Sequence, residues 1–187
     1  MGDWIVEGRD EMTAQSYLYY DELDSPIGKL TVVATEKGVC NIHFGPFEPS
    51  KATLNVWLKK RQIKGTLTHS AERLTPVLTQ LDEYFHGKRV IFDLPLDLYG
   101  TPFQKKVWES LQRIGFGETR SYKEVAQDIG VPKAVRAIGG ANNQNPVPII
   151  IPCHRVIGSN GAMVGYGGGL DKKEILLRLE GSLEKIS

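Results

Sequence analysis

The chain has only two cysteines, Cys40 and Cys153, in 187 residues, which argues against a disulfide scaffold and fits a reducing compartment. No apolar run approaches the roughly eighteen residues that a membrane-spanning helix needs, so no membrane partner is expected. The start, Met1-Gly2-Asp3-Trp4, shows no basic region followed by an apolar stretch, so no secretory leader is expected. Net charge is almost missing: 23 basic and 22 acidic side chains leave +1 with the histidines neutral. Internal repeats and low-complexity tracts are absent too. What is present is an ordinary globular composition, 41% hydrophobic and 24% charged, which buries a sizeable core and excludes intrinsic disorder and a collagen-like chain. At roughly 150 residues per domain the length fits one domain, or two small ones sharing a core. The expected address is the cytoplasm, or the nucleus if the source is a eukaryote.

The near-zero balance hides an asymmetry. Residues 1–99 carry 11 basic and 14 acidic side chains, a net of −3; residues 100–187 carry 12 and 8, a net of +4. A polyanion would meet the second half. Ordinary surface scatter gives a difference of this size as well.

The first half reads as strands followed by helices. Tyr17–Leu23, Gly28–Ala34 and Gly38–Phe44 read as three strands of a meander, joined at Ser25-Pro26-Ile27-Gly28 and Glu36-Lys37-Gly38. Ser50–Lys64 reads as a helix stopped by Gly65, and Thr75-Pro76 as the start of another that ends at His86 before Gly87. Ile91–Leu96 alternates like a strand, and residues 97–101 read as a linker. In the second half, Thr101-Pro102-Phe103-Gln104 and Ser121-Tyr122-Lys123-Glu124 have the capping-box form. The second opens a short helix ending near Gly130, and Lys133–Ala141 forms the next. The pair reads equally as a helix-turn-helix or as a plain helical hairpin. Asp171–Glu180 is a final amphipathic helix closed by Gly181.

The sharpest feature is Asn145-Pro146-Val147-Pro148-Ile149-Ile150-Ile151-Pro152-Cys153-His154-Arg155. Three prolines stiffen the approach to a cysteine beside a histidine and an arginine. A free thiol ionises near about 8.5, so only a few per cent is thiolate at neutral pH. An imidazole that takes the proton and a nearby positive charge both favour the thiolate nucleophile. Cys40, among Val39, Ile42 and Phe44, fits the commoner fate of a buried, inert thiol. Cys40, His43, His69 and His86 complete no four-ligand pattern, so no metal is expected. The cluster Gly165-Tyr166-Gly167-Gly168-Gly169 lacks the Gly-Lys-Ser/Thr ending of a phosphate loop and instead suits close backbone approach to a flat ligand.

Pro152-Cys153-His154-Arg155-Val156-Ile157-Gly158, preceded by Asn145-Pro146-Val147-Pro148 and followed by Gly165-Tyr166-Gly167-Gly168-Gly169-Leu170, resembles the O6-alkylguanine-DNA alkyltransferases. The segment Lys133–Ala141 is similar to the recognition helix of that family. The likeness runs from about Thr101 to Gly181 and more loosely through the first half.

The resemblance implies an α/β (α+β) fold. A small ribonuclease-H-like sheet with helices would occupy residues 1–97, and a winged-helix-like helical domain with a helix-turn-helix residues 98–187. It implies direct repair of double-stranded DNA by a monomer without a cofactor: an alkyl group on guanine O6, or thymine O4, passes irreversibly to Cys153 after the base is flipped. In this likeness His154 is the general base, acting through a water and held by Glu180, and Asn145 braces the turn. Tyr122 presses on the phosphate and hydrogen-bonds guanine N3, and Arg136 fills the vacated stack. Ser121, Lys133, Ala137 and Gly139 belong to the DNA face. Tyr166, Val156, Gly167, Gly168, Pro148 and Asn142 line the substrate pocket, and the glycines there leave room for a benzyl group. Two other readings compete. Alkyltransferase-like proteins sense damage without a nucleophile, which the presence of Cys153 disfavours, and a cysteine hydrolase would turn over repeatedly.

Overall fold

The computed structural model describes residues 16–186, so the amino-terminal stretch inspected for a leader lies outside the described residues. β1 (Tyr17–Leu23), β2 (Leu30–Ala34) and β3 (Val39–Phe44) form the expected antiparallel meander. Ser25 closes the first turn by donating its hydroxyl to Gly28 O at 2.6 Å.

A fourth strand, β4 (Thr66–His69), was not expected. It lies parallel to β1 and completes the order β3-β2-β1-β4. Four residues carry too little alternation to be read alone, and pairing with β1 decides them.

The alternating stretch Ile91–Leu96 is not a strand and contributes only a bridge from Leu96 to Val39. Gln80 supplies the reason: its side chain accepts from Asp93 N at 2.9 Å and donates to Asp93 O at 3.0 Å. A side chain thus satisfies backbone groups that a ladder would otherwise take.

Helix boundaries shift for equally local reasons. α1 runs Phe47–Lys60, starting earlier than Ser50 because the Phe47 ring stacks on Tyr20 of β1, with centroids 3.6 Å apart. α2 runs Ala71–Phe85, starting at the Ser70 cap, whose hydroxyl accepts from Arg73 N. Pro76 therefore lies inside α2 rather than at its first turn, where it removes one helical donor.

In the second half both capping boxes form, opening α3 (Pro102–Gln112) and α4 (Tyr122–Asp128). α5 (Val135–Asn143) starts two residues later than expected, which leaves Lys133 in the preceding turn. α4 and α5 make the helix-turn-helix. α6 (Leu170–Leu179) ends one residue short of Glu180, and α7 (Leu183–Ile186) follows.

Two further strands of two residues each, β5 (Arg120–Ser121) and β6 (Val156–Ile157), pair in parallel. That small pairing positions the site, because α4 starts directly after β5 and β6 directly follows the cysteine turn.

The halves share a core. Leu74, Leu81 and Tyr84 of α2 pack in one buried cluster with Trp108, Ile138, Ile151 and Cys153. Ile42 N of β3 donates to Pro146 O at 2.9 Å, which staples the sheet to the loop before the cysteine. Among the described residues no helix is long and apolar enough to cross a membrane.

Candidate active site

Cys153 opens a single 3-10 turn, Cys153–Arg155, all of it buried. The approach is held by Asn145, which donates to Ile151 O at 2.8 Å and accepts from Val147 N at 3.0 Å. Asn145 also hydrogen-bonds the thiol. Within that loop Ile149 adopts a φ of 77°, a left-handed conformation that β-branched residues rarely take. Asn142 of α5 is 2% exposed and donates to Cys153 O at 3.4 Å. It therefore reaches the turn through the backbone of the cysteine.

Burial pushes the Cys153 thiol up to about 11, against the opposing pull of Asn145, Lys173 and two backbone N–H groups. Almost none is thiolate at neutral pH, so the thiol needs a base when it reacts. His154 has the electronic state of one. Burial lowers its pKa, with Glu180 working the other way, so the imidazole is neutral near pH 7. Its Nε2 lies 2.8 Å from Glu180 Oε2. A carboxylate there assigns the proton to Nε2 and leaves the lone pair on Nδ1, which has no partner among the described residues.

Glu180 gathers three further donor contacts: Arg155 Nε on Oε1 at 2.7 Å, Arg155 Nη2 on Oε2 at 3.0 Å, and the Tyr84 hydroxyl on Oε2 at 2.8 Å. Burial raises the Glu180 carboxyl, but the bonds and charges of His154 and Arg155 outweigh it and hold it at about 2. Arg155 is thus engaged by Glu180 and by Ile114 O, and the cation that acts on the thiol is Lys173 instead.

Lys173 is fully buried and donates from Nζ to Val156 O at 2.5 Å and Val164 O at 3.0 Å. Neither Lys173 nor Tyr84 was singled out from the sequence. Lys173 had a legible signal, since it shares one helical face with Leu176 and Leu177. Tyr84 continues the buried face of Leu74, Val77 and Leu81 and looks like any core aromatic.

Tyr122 opens α4, and its hydroxyl donates to Val164 O at 3.0 Å and Gly165 O at 3.2 Å. Burial, then the charge of Cys153, raises its pKa, which puts it within electrostatic reach of the thiol. Tyr166 turns a buried hydroxyl inward with no partner among the described residues. Val156 and Pro148 flank the turn.

The glycine cluster is less open than the sequence implied. A Cβ on Gly168 would lie 2.7 Å from the ring of Phe44, so β3 of the other half fills the space beside it. Gly167 has more room, its nearest such contact being Asn143 O at 3.5 Å.

On α5, Arg136 and Ala137 are exposed, opposite the buried Ile138, Ala141 and Asn142. Arg136 has no hydrogen bond or ion pair among the described residues. Lys133 is exposed in the turn before it, and Ser121 and Gly139 are half-buried.

Cys40 is fully buried in β3, where burial and then Asp97 push its thiol up to about 12. His69 pairs with Asp21 at 2.9 Å. No group of three or more metal-ligating side chains forms among the described residues.

Residues 18–98 match the family model of the 6-O-methylguanine DNA methyltransferase ribonuclease-like domain, and residues 102–182 match that family's DNA binding domain. The chain belongs to this family. A methylated-DNA–protein-cysteine methyltransferase of Methanosarcina barkeri is 46% identical over 163 residues, covering 87% of this chain and 97% of that protein. One from Mycolicibacterium paratuberculosis is 44% identical, covering 86% of this chain and 91% of that protein. Among solved structures, the Mycobacterium tuberculosis O6-methylguanine methyltransferase superposes with a TM-score of 0.74 at 43% identity, covering 88% of this chain and 93% of that one. The M. tuberculosis OGT in complex with DNA gives a TM-score of 0.75 at 41% identity, with the same coverage. The ribonuclease-like sheet and the helical DNA-binding half are thus the two parts of this methyltransferase family fold.

Proposed function

We propose that the protein repairs alkylated DNA by direct reversal, taking the alkyl group of guanine O6, and of thymine O4, onto Cys153. The observation that carries this reading is a buried cysteine followed on its turn by a neutral histidine whose Nε2–H is held by Glu180. His154 Nδ1, through a water, takes the thiol proton. The sulfur pair then forms the S–C bond, and the C–O6 pair returns to the base. Guanine recovers its hydrogen, so Cys–SH and alkylguanine become Cys–S–alkyl and guanine. No step restores the thiol, and each molecule works once. No cofactor or metal enters this chemistry.

The substrate is duplex DNA, met by the basic second half and read by a monomer wherever the cell keeps its DNA, in the cytoplasm or a nucleus. A stacked base cannot present its alkyl carbon to a buried thiol, so the nucleotide is flipped. Arg136 fills the gap from α5, and Ser121, Lys133, Ala137 and Gly139 line the DNA face with it. Tyr122 gives up its loop contacts to bind guanine N3 and stabilises the purine as it leaves. Tyr166, Val156, Gly167, Gly168 and Pro148 line the pocket, while Asn142 and Asn145 brace its cysteine turn. We assign residues 1–97 and 98–187 to the two domains.

Mixing the protein with an O6-methylguanine oligonucleotide should add one methyl mass to the peptide holding Cys153 and then stop. Repeated methyl release to water would overturn the reading in favour of a hydrolase. For Arg136→Ala, the rate on duplex relative to free O6-benzylguanine should fall about tenfold or more, since only the duplex needs flipping. Tyr122→Phe should slow both substrates. A proportionate loss on both for Arg136→Ala would remove its wedge role.

A further inference from the structure

Between the two halves lies an open cleft of about 470 Å³, lined by Asn41, His43 and Phe44 of β3, Trp57 of α1, and Lys172 of α6. It adjoins the reacting sulfur: Pro148, Gly168 and Asn145 border it, and Asn145 hydrogen-bonds the Cys153 thiol. We infer that this cleft receives O6 substituents larger than methyl, namely alkyl and arylalkyl chains, and that Phe44 sets the size it admits. The inference rests on the alkyl-transfer reading above.

The geometry of displacement requires such a space. Sulfur attacks the carbon bound to O6 from the side opposite that oxygen, and the S–C bond forms as the C–O6 bond breaks. The rest of the substituent then projects sideways from the line joining sulfur, carbon and oxygen. A methyl group has nothing to project, whereas a benzyl or butyl group must find a lateral opening.

Beside Gly168 that opening meets Phe44, whose ring would lie 2.7 Å from a Cβ at position 168. The ring is half-buried, packs edge-on against Tyr166 at 5.9 Å, and carries Lys172 Nζ at 5.9 Å from its centroid. Space that the glycines would leave is therefore governed by a side chain of the other half. Further along, Trp57 offers an apolar wall, and burial keeps His43 neutral by lowering its pKa. Asn41 is 7% exposed, and its Oδ1 is buried without a partner among the described residues. A buried acceptor of that kind is costly unless met, so a substituent ending in a hydroxyl is favoured over a plain chain.

Transfer rates to Cys153, followed by peptide mass, test this on oligonucleotides carrying O6-methyl, O6-benzyl, O6-butyl or O6-(4-hydroxybutyl) guanine. Phe44→Ala should raise the benzyl-to-methyl rate ratio about tenfold, and Phe44→Trp should lower it by a similar factor. The wild-type protein should take hydroxybutyl faster than butyl. A variant that merely unfolds loses both rates together, and the opposite signs of the two Phe44 variants guard against that reading. Ratios that do not move, or that move in one direction for both variants, overturn the inference, and butyl preferred to hydroxybutyl removes Asn41 from it. If the wild-type protein puts no methyl on Cys153, the function proposed above fails instead, before the cleft is tested.

Discussion

Cys153→Ser is expected to lose methyl transfer by more than about a thousandfold, because a serine hydroxyl ionises far less readily than even a thiol pushed up to about 11. The loss should be confined to chemistry. DNA binding rests mainly on phosphate contacts made at the surface, while position 153 is 4% exposed within the core. Serine replaces sulfur with a smaller atom and keeps the backbone donors of the turn, so the fold is expected to survive. The check is a pair of measurements on one preparation: methyl mass on the protein after incubation with methylated DNA, and fluorescence anisotropy on labelled duplex at fixed salt. Binding lost together with transfer would mean that the substitution disturbed the fold. Methyl still gained would put the acceptor elsewhere. Cys40→Ser is the control, since that thiol is fully buried in β3 and should leave transfer in place.

Glu180→Gln should cause the largest loss of stability. The carboxylate is fully buried and accepts from His154, Arg155 and Tyr84 together. Glutamine offers one acceptor oxygen and brings two donors into a site already crowded with donors. Arg155 would stay buried without its counter-charge, a change that typically costs about 3–5 kcal/mol. For a chain of this size each kcal/mol lowers Tm by about 2–4 °C, so thermal denaturation should show a drop of about 6–20 °C. A drop of less than about 2 °C, one kcal/mol or less on that scale, would mean that the network contributes little to the fold.

The same carboxylate sets an acid limit. Its folded pKa is depressed to about 2, below its unfolded value of about 4.3, so its contribution is present above that value. That contribution is lost as pH falls from about 4.3 towards 2.

Tyr84→Phe separates positioning from stability. It removes one donor from Glu180, so the carboxylate pulls harder on the Nε2–H of His154 and raises the basicity of the imidazole. The acid limb of the pH–rate profile should move to higher pH, while a purely structural role for Tyr84 would lower the rate at every pH alike.

The chemistry was legible along the chain because it is carried by a contiguous segment. Pro152-Cys153-His154-Arg155 places nucleophile and base on one turn, and no folding is needed to see them together. Both capping boxes were legible for the same reason, since a cap spans only four residues. The meander followed from its turn residues. Long-range partners were another matter. The Arg155 side chain sits next to the cysteine in sequence, yet it turns to Glu180 and Ile114, and the cation that bears on the sulfur comes from Lys173, twenty residues on. Tyr84 reaches Glu180 across ninety-six residues. Ile91–Leu96 had the alternation of a strand, but Gln80 satisfied its backbone, while the short β4 took the place beside β1. The glycines at 165–169 promised an open pocket edge until the ring of Phe44 was packed against them. Local chemistry, in which a few neighbouring side chains meet their own backbone, determined the caps, the turns and the reactive pair. The electrostatics of the thiol and the shape of its surroundings were decided only when packing brought distant residues to the same buried volume, where charges and contacts interact strongly because water is excluded.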